Sequence, residues 1–143
     1  MEIAPLTSAD AAALLPLVEA LARHHGDAHG ATAATLARDL DDGWLWGFGA
    51  GNPLLGYILL MPHAQAQFGR RGADIHHLFV RPEARRRGLA RGLIERAEAD
   101  ARRRQCSYLV IGAHRGNDAA RATYETAGYT WTEPTFWRFR KML

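Results

Sequence analysis

The run from Asp74 to Ile94 leaves few folds open to this chain. It reads as a strand, a sharp turn and the start of a helix. Ile75, Leu78, Phe79 and Val80 supply β-branched and apolar residues in a short stretch. Pro82 ends that strand, because proline has no N–H to give to a ladder. After Gly88, apolar residues recur at Leu89, Leu93, Ile94, Ala97 and Ala101, which is helical spacing. Arg91, Glu95, Arg96, Glu98, Asp100 and Arg102 to Arg104 are expected mostly on the opposite face.

The turn between strand and helix has a chemical meaning. A helix N-terminus carries unpaired N–H groups and a partial positive charge. Gly88, Ala90 and Gly92 leave that end unshielded, and Arg85, Arg86 and Arg87 add positive charge beside it. Together they can cradle a phosphate. The plain alternative is a surface loop with a solvated arginine run.

The rest of the chain arranges itself around this unit. Ile3 to Leu6 can form a strand. Thr7 or Ser8 can cap a helix with an apolar face of Ala11, Leu14, Leu15, Val18, Leu21 and Ala22, which Pro16 is expected to kink or restart. A loop, His24 to Gly30, precedes a short helix from Thr32 to Leu40. Trp44–Gly49 and Leu54–Met61 read as a hairpin around Gly51-Asn52-Pro53, and Pro62–Gly72 as a connection. Tyr108–Gly112 is a buried strand, parallel to the central one through the intervening helix. Asn117 caps a last helix that ends at Gly128. Tyr129–Thr132 and Phe136–Met142 are expected to be two closing strands.

Two motifs match a known family. Arg85-x-x-Gly88-x-Ala90 resembles the acyl-CoA pyrophosphate loop of the GNAT superfamily of N-acetyltransferases. Asn117-x-x-Ala120-x-x-x-Tyr124-Glu125-x-x-Gly128-Tyr129 resembles that superfamily's second conserved stretch, and the element order matches nearly throughout. The resemblance implies an α/β fold of the α+β type in residues 1–143 as one domain. It would have a mixed, mostly antiparallel sheet of six or seven strands, about four helices and a central βαβ unit. It also implies transfer of an acetyl group from acetyl-CoA to a primary amine. Acetyl-CoA contacts would fall on Leu78, Phe79, Val80, Arg85, Arg86, Arg87, Gly88, Leu89, Ala90, Arg91, Asn117, Ala120 and Tyr124.

The chemistry sets its own requirements. An alkyl amine has a pKa near ~10.4, so making it neutral at pH 7 costs about 4–5 kcal/mol, and a nearby base can take that proton in place. Asp74 and His76 are two apart on the strand and so share a face. By motif position His76 is the first candidate base and Asp74 the second, against a histidine merely satisfied in the sheet. His77 is expected to point the other way. Adjacent strand positions make His76 and His77 a poor chelating pair, and no metal is expected. Tyr124 matches the family's acid, which protonates the departing sulfur; the alternative is a core tyrosine. Asn117 would bond to CoA, cap its helix, or both.

A loose likeness between His25–Leu40 and diamine and polyamine acetyltransferases suggests a small cationic acceptor, for which Asp27, Asp39, Asp41 and Asp42 could supply charge. Protein lysines or N-termini are the alternative acceptors. From other classes, a non-catalytic CoA-binding domain would need neither Tyr124 nor His76. A nucleic-acid module would use Arg85–Arg87 and Arg102–Arg104, but a net charge of +3 and the acids between the two runs speak against it. The single Cys106 permits no internal disulfide and fits a reducing cytoplasm. No signal peptide or membrane span is expected. A homodimer fits the resemblance, with Trp137 lining the acceptor site or a subunit contact.

Overall fold

A computed structural model describes residues 1–143. Five strands form one sheet in the order β1-β2-β3-β4-β5: Ile3–Pro5, Trp46–Ala50, Gly56–Gln65, Arg70–Val80 and Tyr108–Ile111. The first four run antiparallel, and β5 lies parallel to β4 across the crossover helix. The helices are α1 (Ala11–His24), α2 (Ala33–Asp41), α3 (Leu89–Arg103) and α4 (Asp118–Thr126). No helix is long and apolar enough to cross a membrane.

Alternation along β3 builds two cores. Ile58 and Leu60 face α3 and pack with Phe48, Ile75, Leu93, Ile94 and Ala97. Tyr57 and Leu59 face the other way and pack with Leu14, Leu17, Val18 and Leu21 of α1 and Leu36 of α2. The expected apolar stripe of α3 is the buried one, with an addition: Asp100 is only 3% exposed. It lies on the apolar stripe, seven residues after Leu93, and accepts hydrogen bonds from Trp46 Nε1 (3.0 Å), Arg103 and Arg104. The polar face assigned to it from sequence was therefore wrong.

Three other expectations change. Pro16 does not restart α1, which runs unbroken from Ala11 to His24; it sits on an exposed side, as does Ala12, whose carbonyl loses its usual donor there. Pro62–Gly72 is not a connection, because β3 continues to Gln65 and β4 begins at Arg70, with a tight turn at Ala66–Gly69 between them. The sheet has five strands rather than six or seven. Tyr129–Thr132 and Phe136–Met142 form no strand, and the aromatic residues Trp131, Phe136, Trp137 and Phe139 are exposed. Aromatic content favours a strand only where a partner strand and a surface to pack on exist.

Candidate active site

The site begins where two strands part. β5 pairs with β4 only from Gly72↔Tyr108 to Ile75↔Ile111. Beyond Ile75, β4 keeps its partner β3 on one side and has none on the other. The main-chain groups of Leu78, Phe79 and Val80 on that side therefore face a cleft, as an amide-bearing ligand would require. A cavity of about 1110 Å³ fills the gap between β4, the N-terminus of α3, the β5–α4 loop and α4. That exceeds the usual range for one small ligand and suits two substrates meeting.

At one end lies the turn expected to cradle a phosphate. Gly88 caps α3 with φ at +77°, a left-handed conformation that glycine adopts without strain. No side chain caps this helix, so its first N–H groups stay available to a ligand. Arg85, Arg86, Leu89, Ala90 and Arg91 line the cavity with Gly88, whereas Arg87 does not. Arg85 also donates from Nε to the Val80 carbonyl at 2.9 Å, tying the cradle to the end of β4.

In the opposite wall stands α4. Asn117 Oδ1 accepts from the Ala120 N–H at 3.1 Å, so it is a helix cap, and its amide NH₂ remains free for a ligand. Ala120 and Tyr124 line the cavity. Tyr124 is half-buried against the α3-side core, and desolvation raises its phenol above the ordinary value, so it keeps its proton at neutral pH.

The base candidates are rearranged by a β-bulge. Leu59 pairs with His77 and Leu60 with Ile75, so His76 is an extra residue on β4 without a partner. The bulge overrides simple alternation. His76 and His77 stack with ring centroids 4.2 Å apart and planes 14° apart, and both line the cavity. The expectation that His77 points away is thus corrected. Asp74, before the bulge, is not among the lining residues, although its charge is felt at His76. Burial lowers the His76 pKa more than Asp74 raises it. Burial, with His76 and His25 nearby, pushes His77 down to about 4. Both imidazoles are neutral at pH 7. Behind them the fully buried Tyr57 places its hydroxyl 3.1 Å from His77 Nδ1, and burial pushes that phenol up as well.

Sequence reasoning missed His77 and Tyr57 as parts of one array, and it gives His24 to Gly30 only as a loop. In fact His24 and His25 line the cavity, as does His114 from the β5–α4 loop. Five of the seven histidines thus surround one cavity whose lining contains no carboxylate. Asp39 instead pairs with Arg38, and Asp41 lines a separate cavity near Trp46 and Arg104. Arg103 and Arg104 both pair with Asp100. Cys106 lies in the connection between α3 and β5 and is a free, half-buried thiol.

An uncapped helix N-terminus and an open β4 edge on one cavity agree with a comparison at the sequence level. The acetyltransferase (GNAT) family pattern matches residues 12–129. The chain belongs to the GNAT acetyltransferase family. As a GNAT acetyltransferase it is an acyltransferase, and the family's co-substrate is acetyl-CoA. The cradle and cleft fit that molecule's phosphates and amides. No curated protein matches the chain closely enough to count as a relative. Solved structures share the fold. A ribosomal-protein-alanine N-acetyltransferase from Brucella melitensis biovar Abortus 2308 aligns at 24% identity with TM-score 0.81, covering 99% of this chain and 100% of that one. An aminoglycoside acetyltransferase from an uncultured soil metagenomic sample, in complex with sisomicin, aligns at 16% identity with TM-score 0.83, covering 99% and 96%. A GCN5-related N-acetyltransferase from Ralstonia eutropha JMP134 aligns at 24% identity with TM-score 0.75, covering 96% and 97%.

Proposed function

We propose that this GNAT acetyltransferase acetylates a primary amine of a small molecule, using His76 as base and Tyr124 as acid. The observation that carries this reading is the shared cavity: Tyr124 in one wall, His76 in the other, and the phosphate cradle at one end. Bound acetyl-CoA supplies the acetyl group as an activated thioester. Neutral His76 takes the proton that the amine must lose. Tyr124, still protonated at neutral pH, gives its proton to the departing sulfur. His77, held by Tyr57, stacks beneath His76 and fixes the plane of its ring. Leu78, Phe79 and Val80 offer main-chain groups, and Arg85, Arg86, Gly88, Leu89, Ala90, Arg91 and Asn117 hold the phosphates and the arm of the co-substrate.

The diamine or polyamine expectation rests on one acid. Of Asp27, Asp39, Asp41 and Asp42, only Asp27 lies beside cavity-lining residues, next to His25 and His114. We therefore favour a small amine of low positive charge over a polyamine.

The reading is tested in two steps. A thermal melt with acetyl-CoA at 100 times its dissociation constant should gain about 2.7 kcal/mol of stability. For a domain of this size that is a rise of roughly 5–11 °C, with no rise from ATP or duplex DNA. Thiol release is then followed with diamines, an aminoglycoside and a peptide beginning with alanine. Turnover of a small amine supports the proposal. Turnover of the peptide alone moves the acceptor to protein N-termini. Binding without turnover of any amine favours a non-catalytic CoA domain, and a DNA response without an acetyl-CoA response would overturn the reading.

A further inference from the structure

We propose that His25, Asp27 and His114 form a binding site for a divalent transition-metal ion of the zinc class at the mouth of the cavity. The three residues come from two loops far apart in the chain. His25 caps the C-terminus of α1, and the backbone then turns through Gly26 at φ +73°, with the Asp27 N–H bonded to the Ala22 carbonyl at 2.8 Å. His114 lies between β5 and α4, where its carbonyl accepts from the Asn117 N–H at 3.0 Å. Their ligand atoms all lie within 4.8 Å of one another. The His25 and His114 rings lie with centroids 4.3 Å apart and planes tilted by 50°. The neighbouring histidine of the same loop, His29, is instead near Glu19 at 3.9 Å.

The donor set selects the ion. Two imidazoles and one carboxylate suit zinc, cobalt, nickel or copper and are poor ligands for magnesium or calcium. Metal–ligand bonds of about 2.0–2.2 Å in a tetrahedron put donor atoms about 3.4 Å apart. The three groups must therefore close by no more than about 1–1.5 Å. Asp27 and His114 are exposed and His25 is half-buried, so this closure disturbs no core. Asp27 also supplies negative charge beside a cavity lined by histidines and arginines but no carboxylate. The inference concerns a different group from the adjacent His76 and His77, whose rings stack rather than converge on a point.

Three protein ligands leave a fourth position open. His25 and His114 both line the cavity, so that position lies at its mouth. An ion there clamps the α1–α2 loop to the β5–α4 loop and narrows the way in. The acetyl transfer proposed above does not use the ion.

The test is calorimetric titration of ZnCl₂ into the metal-free, tag-free full chain. One ion per chain is expected, with no heat of binding from MgCl₂. His25→Ala, Asp27→Ala and His114→Ala should each weaken binding by about tenfold or more, since even outer-shell partners cost that much. His29→Ala and His63→Ala should leave it unchanged; His63 is held by the Tyr108 hydroxyl at 2.6 Å on another part of the sheet. Nitrogen-detected NMR of the unmodified chain adds a readout that needs no variant: zinc should shift the ring signals of His25 and His114 ahead of all other histidines. No binding, binding unchanged in the three alanine variants, or first shifts at other histidines would overturn the proposal. Every readout is binding, so failure here is separable from failure to find an acceptor amine.

Discussion

In the proposed mechanism Tyr124 is the residue on which turnover depends most sharply. Tyr124→Phe keeps the ring in its half-buried place and removes only the proton. Acetyl-CoA affinity by calorimetry should stay within twofold, while kcat falls by about 10²-fold or more. Unchanged turnover across the pH range would remove the acid role. His76→Gln should likewise lower turnover by about 10²-fold with acetyl-CoA binding retained. His77 carries a stability signature of its own. Its unfolded pKa is 6.5 and its folded pKa about 4. Between those values the unfolded chain holds a proton that the folded chain refuses. Stability is therefore fully present above pH 6.5, declines as the pH drops toward 4, and levels off below. Melts across that window should show a steeper decline for the unmodified protein than for His77→Gln. None of this was legible at His77 itself, because alternation along a strand pointed its ring away. Only the pairing of Leu59 with His77 and Leu60 with Ile75 reveals the extra residue that turns both rings into the cavity.

At the level of elements, α3 and the turn before it were the most readable part. The turn residues, the apolar spacing and the arginines are all local signals, and the helix starts one residue after Gly88. Gly88→Ala would have to hold a left-handed backbone, costing about 1–2 kcal/mol. It should also weaken acetyl-CoA binding, because the cradle's N–H groups move; urea melts and calorimetry measure the two effects separately. At its other end α3 carries a group that the same local reading misjudged. Asp100 is charged, so it was assigned to the outer face, yet its spacing of seven residues from Leu93 places it inward. Burial works against its charged form, but hydrogen bonds from Arg104, Arg103 and Trp46 outweigh that and hold its pKa below the ordinary carboxylate value. Asp100→Ala should cost about 1–3 kcal/mol, because the part-buried Trp46 N–H loses its acceptor. The native contribution is present above the ordinary carboxylate pKa and is lost as the carboxylate protonates in acid.

For the whole molecule, the sheet is held by pairing and by two cores, and the last residues share in neither. The four exposed aromatic residues beyond Tyr129 lie outside the stretch that matches the family pattern. Trp137 is 88% exposed, so Trp137→Ala should change stability by no more than about 0.5 kcal/mol in a urea melt. A larger loss would mean that this tail packs in solution. The sequence by itself determined the helices, the parallel strand pair, the Gly88 turn that opens α3 and the positions of Asn117 and Tyr124 on α4, because periodicity, caps and turn residues act between neighbours in the chain. Tertiary structure alone decided that β4 bulges at His76, that Tyr57 holds His77, that His25 and His114 meet across a cavity mouth, and that the closing segment forms no strand. Those outcomes depend on register and packing between segments distant in sequence, and no local pattern records which distant partner a residue will find.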